Sequence, residues 1–214
     1  MAALFNSKKP DDSRPDEGTL IVLEGADGVG KTTLCKLLCE RLTSEGIPTV
    51  YYAFPGCRKD SLGTLVYKVH HDPKSYCPAG LNPLSLQMLH VAAHIDCIEG
   101  YILPALRSGM TVILDRSWLS TKIYGLAEGL SASALDKLLE IERSCWADVT
   151  TKRLFVIRRE VPLKQVPNRH WLHIQSLYDD FLREKIADDT VLSVDNNSSV
   201  EVAVADISRS IIGS

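Results

Sequence analysis

"TLIVLEGADGVGKTTLCKLLCERLTSEG", residues 19–46, holds three pieces in order: an apolar run, a glycine-rich turn and a segment with leucines at helical spacing. The run "TLIVLEG" (19–25) does not alternate apolar with polar, which is the mark of a strand buried on both faces. Leu34, Leu37, Leu38 and Leu42 predict a helix over 31–46, closed by Gly46. Between them "GADGVGKT" (25–32) fits G-x-x-x-x-G-K-[ST] without a gap, in the strand–turn–helix setting that gives the pattern its meaning. Glycines let successive backbone N–H groups converge on one point, and the helix N-terminus adds its dipole there. An anion such as a phosphate suits this cradle. Lys31 is expected to reach the β- and γ-phosphates of a nucleoside triphosphate, and Thr32 to hold Mg²⁺.

The pattern repeats outward. "TVYYAF" (49–54), "MTVILD" (110–115), "RLFVI" (153–157) and "TVLSVD" (190–195) read as further strands. Residues 84–108, 131–143, 171–187 and 199–212 read as helices, the first of them as one long helix or two, with Pro104 near its end. Strands alternating with helices predict an α/β fold: a P-loop three-layer αβα architecture on a five-stranded, mostly parallel sheet. With 214 residues, 45% of them hydrophobic, the chain suits one domain over 19–214 behind a polar, disordered leader at 1–18.

Composition excludes several classes. The formal net charge of -3 gives no electrostatic footprint for a nucleic acid. No apolar run approaches the ~20 residues of a membrane span. Six cysteines, at 35, 39, 57, 77, 97 and 145, contain no CxxC pair, which fits reduced thiols in a cytoplasmic protein.

Ligands of parallel sheets gather at the carboxyl ends of the strands. "ILDRSW" (113–118) ends a strand with Asp115, a second candidate for Mg²⁺, and Arg116, a candidate clamp for another phosphate group. "FPGCR" (54–58) ends its strand with Arg58 nearby. "RREVPLKQVPNRHW" (158–171) is basic and without apolar periodicity, either a solvated loop or a short lid near 158–170 that brings Arg158, Arg159, Lys164 and Arg169 over the reaction centre. "LHVAAHID" (89–96) places His90 and His94 one helical turn apart. They can be buried structural groups, substrate readers or metal ligands, and no third ligand stands at metal-site spacing.

"LIVLEGADGVGKTT", "FPG", "HVAAHIDCIEGYILPALRSGMTVILDRSWLSTKIYG" and a late "YDDF", in this order, resemble the thymidylate kinase family of nucleoside monophosphate kinases over about residues 18–212. The resemblance implies transfer of the γ-phosphoryl of ATP to a nucleoside monophosphate, dTMP or a related pyrimidine nucleotide, with Mg²⁺. It implies that Asp27, Gly28, Val29, Gly30, Lys31, Thr32 and Thr33 hold ATP, with Arg158 or Arg159 flanking its adenine and Asn196 in the turn that closes the other side. It implies an acceptor pocket of Asp27, Phe54, Arg58, His90, His94, Arg116, Ser120 and Tyr124. Catalysis would fall to Lys31, Arg116 and a lid arginine, Arg159, and the protein would be a homodimer. Two positions depart from the family: His90 stands where a phenylalanine usually stacks on thymine, and His94 where an arginine usually contacts its oxygen. Two other readings fit the residues: a kinase for a modified nucleotide or a non-nucleotide small molecule, and a nucleotide-binding regulator without transfer activity.

Overall fold

The computed structural model describes residues 18–212 except 57, 148, 150 and 165, so all but residue 18 of the expected leader lies outside the described residues. β1 (Leu20–Glu24) is followed by α1 (Lys31–Ser44) and β2 (Thr49–Ala53). Three helices come next: α2 (Leu62–His71), α3 (Pro73–Tyr76) and α4 (Pro83–Cys97). A widened π turn, Ile98–Ile102, joins α4 to α5 (Leu103–Arg107). β3 (Thr111–Asp115), α6 (Trp118–Ala127) and α7 (Ala132–Cys145) precede β4 (Thr151–Arg158). α8 (Arg169–Glu184), β5 (Val191–Asp195) and α9 (Val200–Ile212) complete the order.

The five strands run parallel in the order β2-β3-β1-β4-β5. β1 pairs with β3 from Leu20↔Val112 to Leu23↔Asp115, and β3 with β2 so that Asp115 faces Ala53. Every residue of β1 and of β3 is buried, which explains their unbroken apolar runs. α1 and α9 pack together in one helical layer, and α4, α6, α7 and α8 form the other. The chain leaves β1 toward β2 and later crosses to β4 on its other side, which opens a crevice above the carboxyl end of β1.

The structure refines several expectations. The sheet is wholly parallel. The 84–108 segment is interrupted because Pro104 has no N–H to donate and its ring crowds the preceding turn, and the wider turn at 98–102 absorbs this. α2, α3 and α6 are not among the helices the sequence predicts. α2 carried a signal: Ser61 caps it by accepting from the Thr64 N–H at 3.2 Å, and Gly63, Val66 and Val69 form its buried stripe. In α6 the apolar and polar residues are mixed because its polar face is buried too.

Gly63 fixes how α2 meets the loop after β2. A Cβ there would lie 2.3 Å from the Pro55 carbonyl oxygen and 2.5 Å from the Gly56 Cα. Gly63→Ala is therefore expected to lower stability by about 1–3 kcal/mol through forced backbone displacement. An unchanged melting temperature by calorimetry would show that α2 and the loop separate freely.

Candidate active site

The phosphate cradle follows β1 directly. Gly25 has φ 137°, and a Cβ on it would meet the Ile157 carbonyl oxygen at 2.4 Å, so both its conformation and its packing require glycine. Gly30 precedes α1 at φ 97°, where a Cβ would lie 2.5 Å from the Asn196 amide nitrogen. Three distant segments strap the loop. The Trp171 indole N–H donates to the Asp27 carbonyl at 2.7 Å, the Leu163 N–H to the Gly28 carbonyl at 2.9 Å, and the Asn196 amide to the Val29 carbonyl at 2.8 Å.

Lys31 is buried and donates to the carbonyls of Gly25 at 2.9 Å and Ala26 at 2.8 Å. Burial, aided by the neighbouring Arg116 charge, pushes its pKa down to about 8. The ammonium is thus poised to gain from any anion placed in the cradle. Thr32 donates its hydroxyl to Asp115 Oδ2 at 2.6 Å, while Asp115 Oδ1 is buried with no hydrogen-bond partner. An unpartnered carboxylate oxygen beside a P-loop hydroxyl fits a divalent cation with oxygen ligands.

Arg116 follows Asp115 with φ 75°, a strained conformation for a residue other than glycine. Its guanidinium bonds Asp27, the Ser120 hydroxyl at 2.9 Å and, more weakly, the Tyr124 hydroxyl at 3.5 Å. Burial works against the charge of Asp27, but Arg116 and Lys31 outweigh it and hold the carboxyl below its usual range. Burial pushes the Tyr124 phenol up to about 12.

Beneath Arg116 lies a residue the sequence reading missed. Glu24, the last residue of β1, is fully buried. Its carboxylate accepts five hydrogen bonds: from the Ser117 N–H and hydroxyl, the Ser120 N–H and hydroxyl, and the Tyr178 hydroxyl. This ties the N-terminus of α6 and the middle of α8 to β1, and it sets Ser120 under the guanidinium.

These residues line a cleft of about 780 Å³. Of the expected site residues, Asp27, Gly28, Gly30, Lys31, Thr32, Thr33, Phe54, His90, His94, Asp115, Arg116, Ser120 and Tyr124 face it. Val29 is instead buried in the core, and Asn196 acts from behind the loop. Arg58 does not line the cleft; its guanidinium sits 4.2 Å from the Tyr101 ring centre. Arg158 pairs with Asp179 at 3.0 Å. Arg159 bonds the carbonyls of Val161, at 2.9 Å, and of Asn196. Lys164 is the basic side chain of the expected lid that does line the cleft.

The far end of the cleft is rich in imidazoles. His94 stacks on Phe54, with ring centres 4.0 Å apart and 13° between planes, and its Nδ1 lies 2.9 Å from Glu142 Oε2. His90 Nε2 lies 2.9 Å from Nδ1 of His70 on α2. Burial, and then the neighbouring His94 and His70, push the His90 pKa down to about 3, so its ring is uncharged at neutral pH. Among the described residues no group of three or more His, Cys, Asp or Glu side chains is placed to hold a metal ion.

A wholly parallel sheet, a phosphate cradle at its central strand and a threonine–aspartate pair beside the lysine define a P-loop nucleotide-binding protein of the α/β class. The thymidylate kinase family model matches residues 23–142, and the chain belongs to that family. A thymidylate kinase of Pelotomaculum thermopropionicum is 37% identical over 123 residues, 57% of this chain and 55% of that protein. One from Chlamydia trachomatis serovar L2 is 40% identical over 120 residues, 55% of this chain and 56% of that protein. The chain thus matches along about half the length of these curated relatives. The crystal structure of thymidylate kinase from Ehrlichia chaffeensis shares the fold, with a TM-score of 0.74 at 22% identity over 91% of this chain and 98% of that one.

Glu24→Gln is expected to lower stability by about 1–3 kcal/mol, because the introduced amide N–H groups oppose donors already in place. Chemical denaturation measures this, and a stability equal to that of the parent would show that the network is not strained by losing one acceptor.

Proposed function

We propose that the protein is an ATP-dependent nucleoside monophosphate kinase, which passes the γ-phosphoryl of ATP to a pyrimidine nucleoside monophosphate, dTMP or a close relative, giving the diphosphate and ADP. One observation carries the reading: a single cleft has two separate cations, buried Lys31 in the cradle and partly buried Arg116 at the end of β3. A nucleotide-binding regulator needs the first only. Two poles suit a donor phosphate chain and an acceptor phosphate that meet between them. The family match and the relatives' names support the same assignment.

The acceptor phosphate has a second pKa near ~6, so at neutral pH it is already mostly a dianion and needs no general base. Catalysis is then alignment and charge neutralisation of an in-line transfer. Lys31 leaves the Gly25 and Ala26 carbonyls for the donor phosphates. Arg116, propped by Ser120, holds the acceptor phosphate, with Asp27 near the acceptor's sugar. Thr32 and Asp115 would hold Mg²⁺, which would neutralise charge on the donor phosphate oxygens. Lys164 brings further positive charge from the 159–168 segment. Arg158 and Arg159 serve only if they leave their present partners when ATP binds.

Cytoplasmic location and a homodimer, formed on the helices after "AAH" and "DR", belong to this reading. Cys35, Cys39, Cys77, Cys97 and Cys145 are free thiols, and among the described residues no helix is long and apolar enough to cross a membrane. Light scattering at micromolar concentration is expected to give twice the chain mass; a monomer mass would remove the dimer and leave the chemistry.

The test of the activity is ADP release from ATP with and without added monophosphate. Lys31→Ala should abolish transfer in a folded protein. Arg116→Ala should raise KM for the acceptor and lower kcat with the KM for ATP unchanged, at a cost of roughly 2–4 kcal/mol in kcat/KM. ADP release independent of any acceptor, or unaffected by Lys31→Ala, would sink the kinase reading.

A further inference from the structure

The imidazole end of the cleft is held by a buried His94–Glu142 contact, and this bears on the acceptor's base. His94 is 2% exposed and held on two sides: Phe54 covers its face and Glu142 takes its Nδ1. Glu142 belongs to α7, has no solvent exposure and lies 48 residues away in sequence. An ionised Glu142 carboxylate only accepts hydrogen bonds, which sets the proton of the contact on His94 Nδ1. The other ring nitrogen, Nε2, has no hydrogen-bond partner among the described residues and is the polar atom that His94 has left for a ligand in the cleft it lines. A second buried polar group lines the same cleft. Gln87 is 4% exposed, lines the cleft and has no hydrogen bond to any described residue.

We propose that Glu142 is a positioning residue that locks His94 in the tautomer with a bare Nε2, so that the pocket selects a 4-aminopyrimidine, a cytosine nucleotide, over a 4-oxopyrimidine such as thymine. This rests on the kinase reading above and specifies its acceptor. The Gln87 amide can turn to offer either a donor or an acceptor, so it adapts to either base. His94, clamped by Phe54 and Glu142, cannot. The amino group of cytosine projects from the ring edge and donates freely to Nε2. Thymine sets a carbonyl at that position, lone pair against lone pair. Its only edge donor, N3–H, is recessed between two carbonyl oxygens that repel an approaching nitrogen. A buried polar reader left unpaired discriminates strongly.

The test compares dCMP, CMP, dTMP and dUMP as acceptors, and measures dCMP and dTMP binding without ATP by titration calorimetry. We expect kcat/KM for a cytosine nucleotide to exceed that for dTMP by about tenfold or more, mostly through KM. The CMP and dCMP arms separate ribose from deoxyribose preference. Glu142→Gln, whose amide can donate to Nδ1 and move the proton to Nε2, should shrink or invert the preference with the KM for ATP unchanged. Glu142→Asp should restore most of it. ¹⁵N-histidine spectra, with His94→Gln to assign the signal, should show a protonated Nδ1 and a bare Nε2 at neutral pH. A protein that prefers dTMP, or a protonated Nε2 at neutral pH, overturns the inference and leaves the kinase reading intact. If no monophosphate is turned over, the kinase reading falls, and calorimetry still decides: tighter dCMP binding upholds the base preference, and equal, weaker or absent binding overturns it.

Discussion

The arrangement of the cleft depends on one buried carboxylate. Glu24 sits at the carboxyl end of the central strand, where desolvation of a charge would be prohibitive without compensation. Ser117, Ser120 and Tyr178 supply that compensation, and two of the donors are backbone N–H groups at the N-terminus of α6, where the helix dipole favours a negative charge. Satisfying Glu24 therefore locates α6 and α8 against β1. Arg116 is the residue between β3 and the Ser117 cap, so its strained backbone is over-determined: its N–H is held by the Leu23 carbonyl at 2.9 Å, and its head by Ser120. The acceptor-phosphate pole is thus a consequence of how a carboxylate is buried.

The donor pole is fixed differently. Its loop is short and glycine-rich, and left alone would lose much conformational entropy on ordering. Trp171, Leu163 and Asn196 each bind one of its carbonyls, which holds the loop in one conformation. Asn196 also explains why Gly30 admits no side chain. The 159–168 segment lies against the loop through the Leu163 N–H, so any movement of that segment is coupled to the cradle itself.

The third region, around His90 and His94, is lined by flat rings where the rest of the cleft carries Lys31 and Arg116. Phe54, His70, His90 and His94 come from the end of β2, from α2 and from α4, and they meet ring to ring. Flat faces beside two cations, Lys31 and Arg116, divide the cleft into a part for phosphates and a part for a planar ring, which is the division a nucleotide requires.

What could be read from the sequence follows from how local each signal is. The cradle is eight contiguous residues between a strand and a helix, and every property it needs is local: positive φ at glycines, a lysine and a threonine at the start of α1. The strands were legible because burial on both faces leaves an apolar run, and Asp115–Arg116 because they end one. α6 escaped because a helix that buries a serine and a threonine lacks a clean apolar stripe, and α2 because its cap and stripe were short. Tertiary structure alone decided the partners. Glu24 and Tyr178 are 154 residues apart, Asp27 and Trp171 144, His94 and Glu142 48. It also sent Arg58 to Tyr101 and Arg159 to backbone carbonyls. A hydrogen bond between distant elements needs only one suitable atom on each, and so leaves no period or spacing in the chain. Composition and periodicity determined that a phosphate cradle stands on a parallel sheet; the packing of α6, α7 and α8 determined which side chains face it and which of their atoms are free to bind.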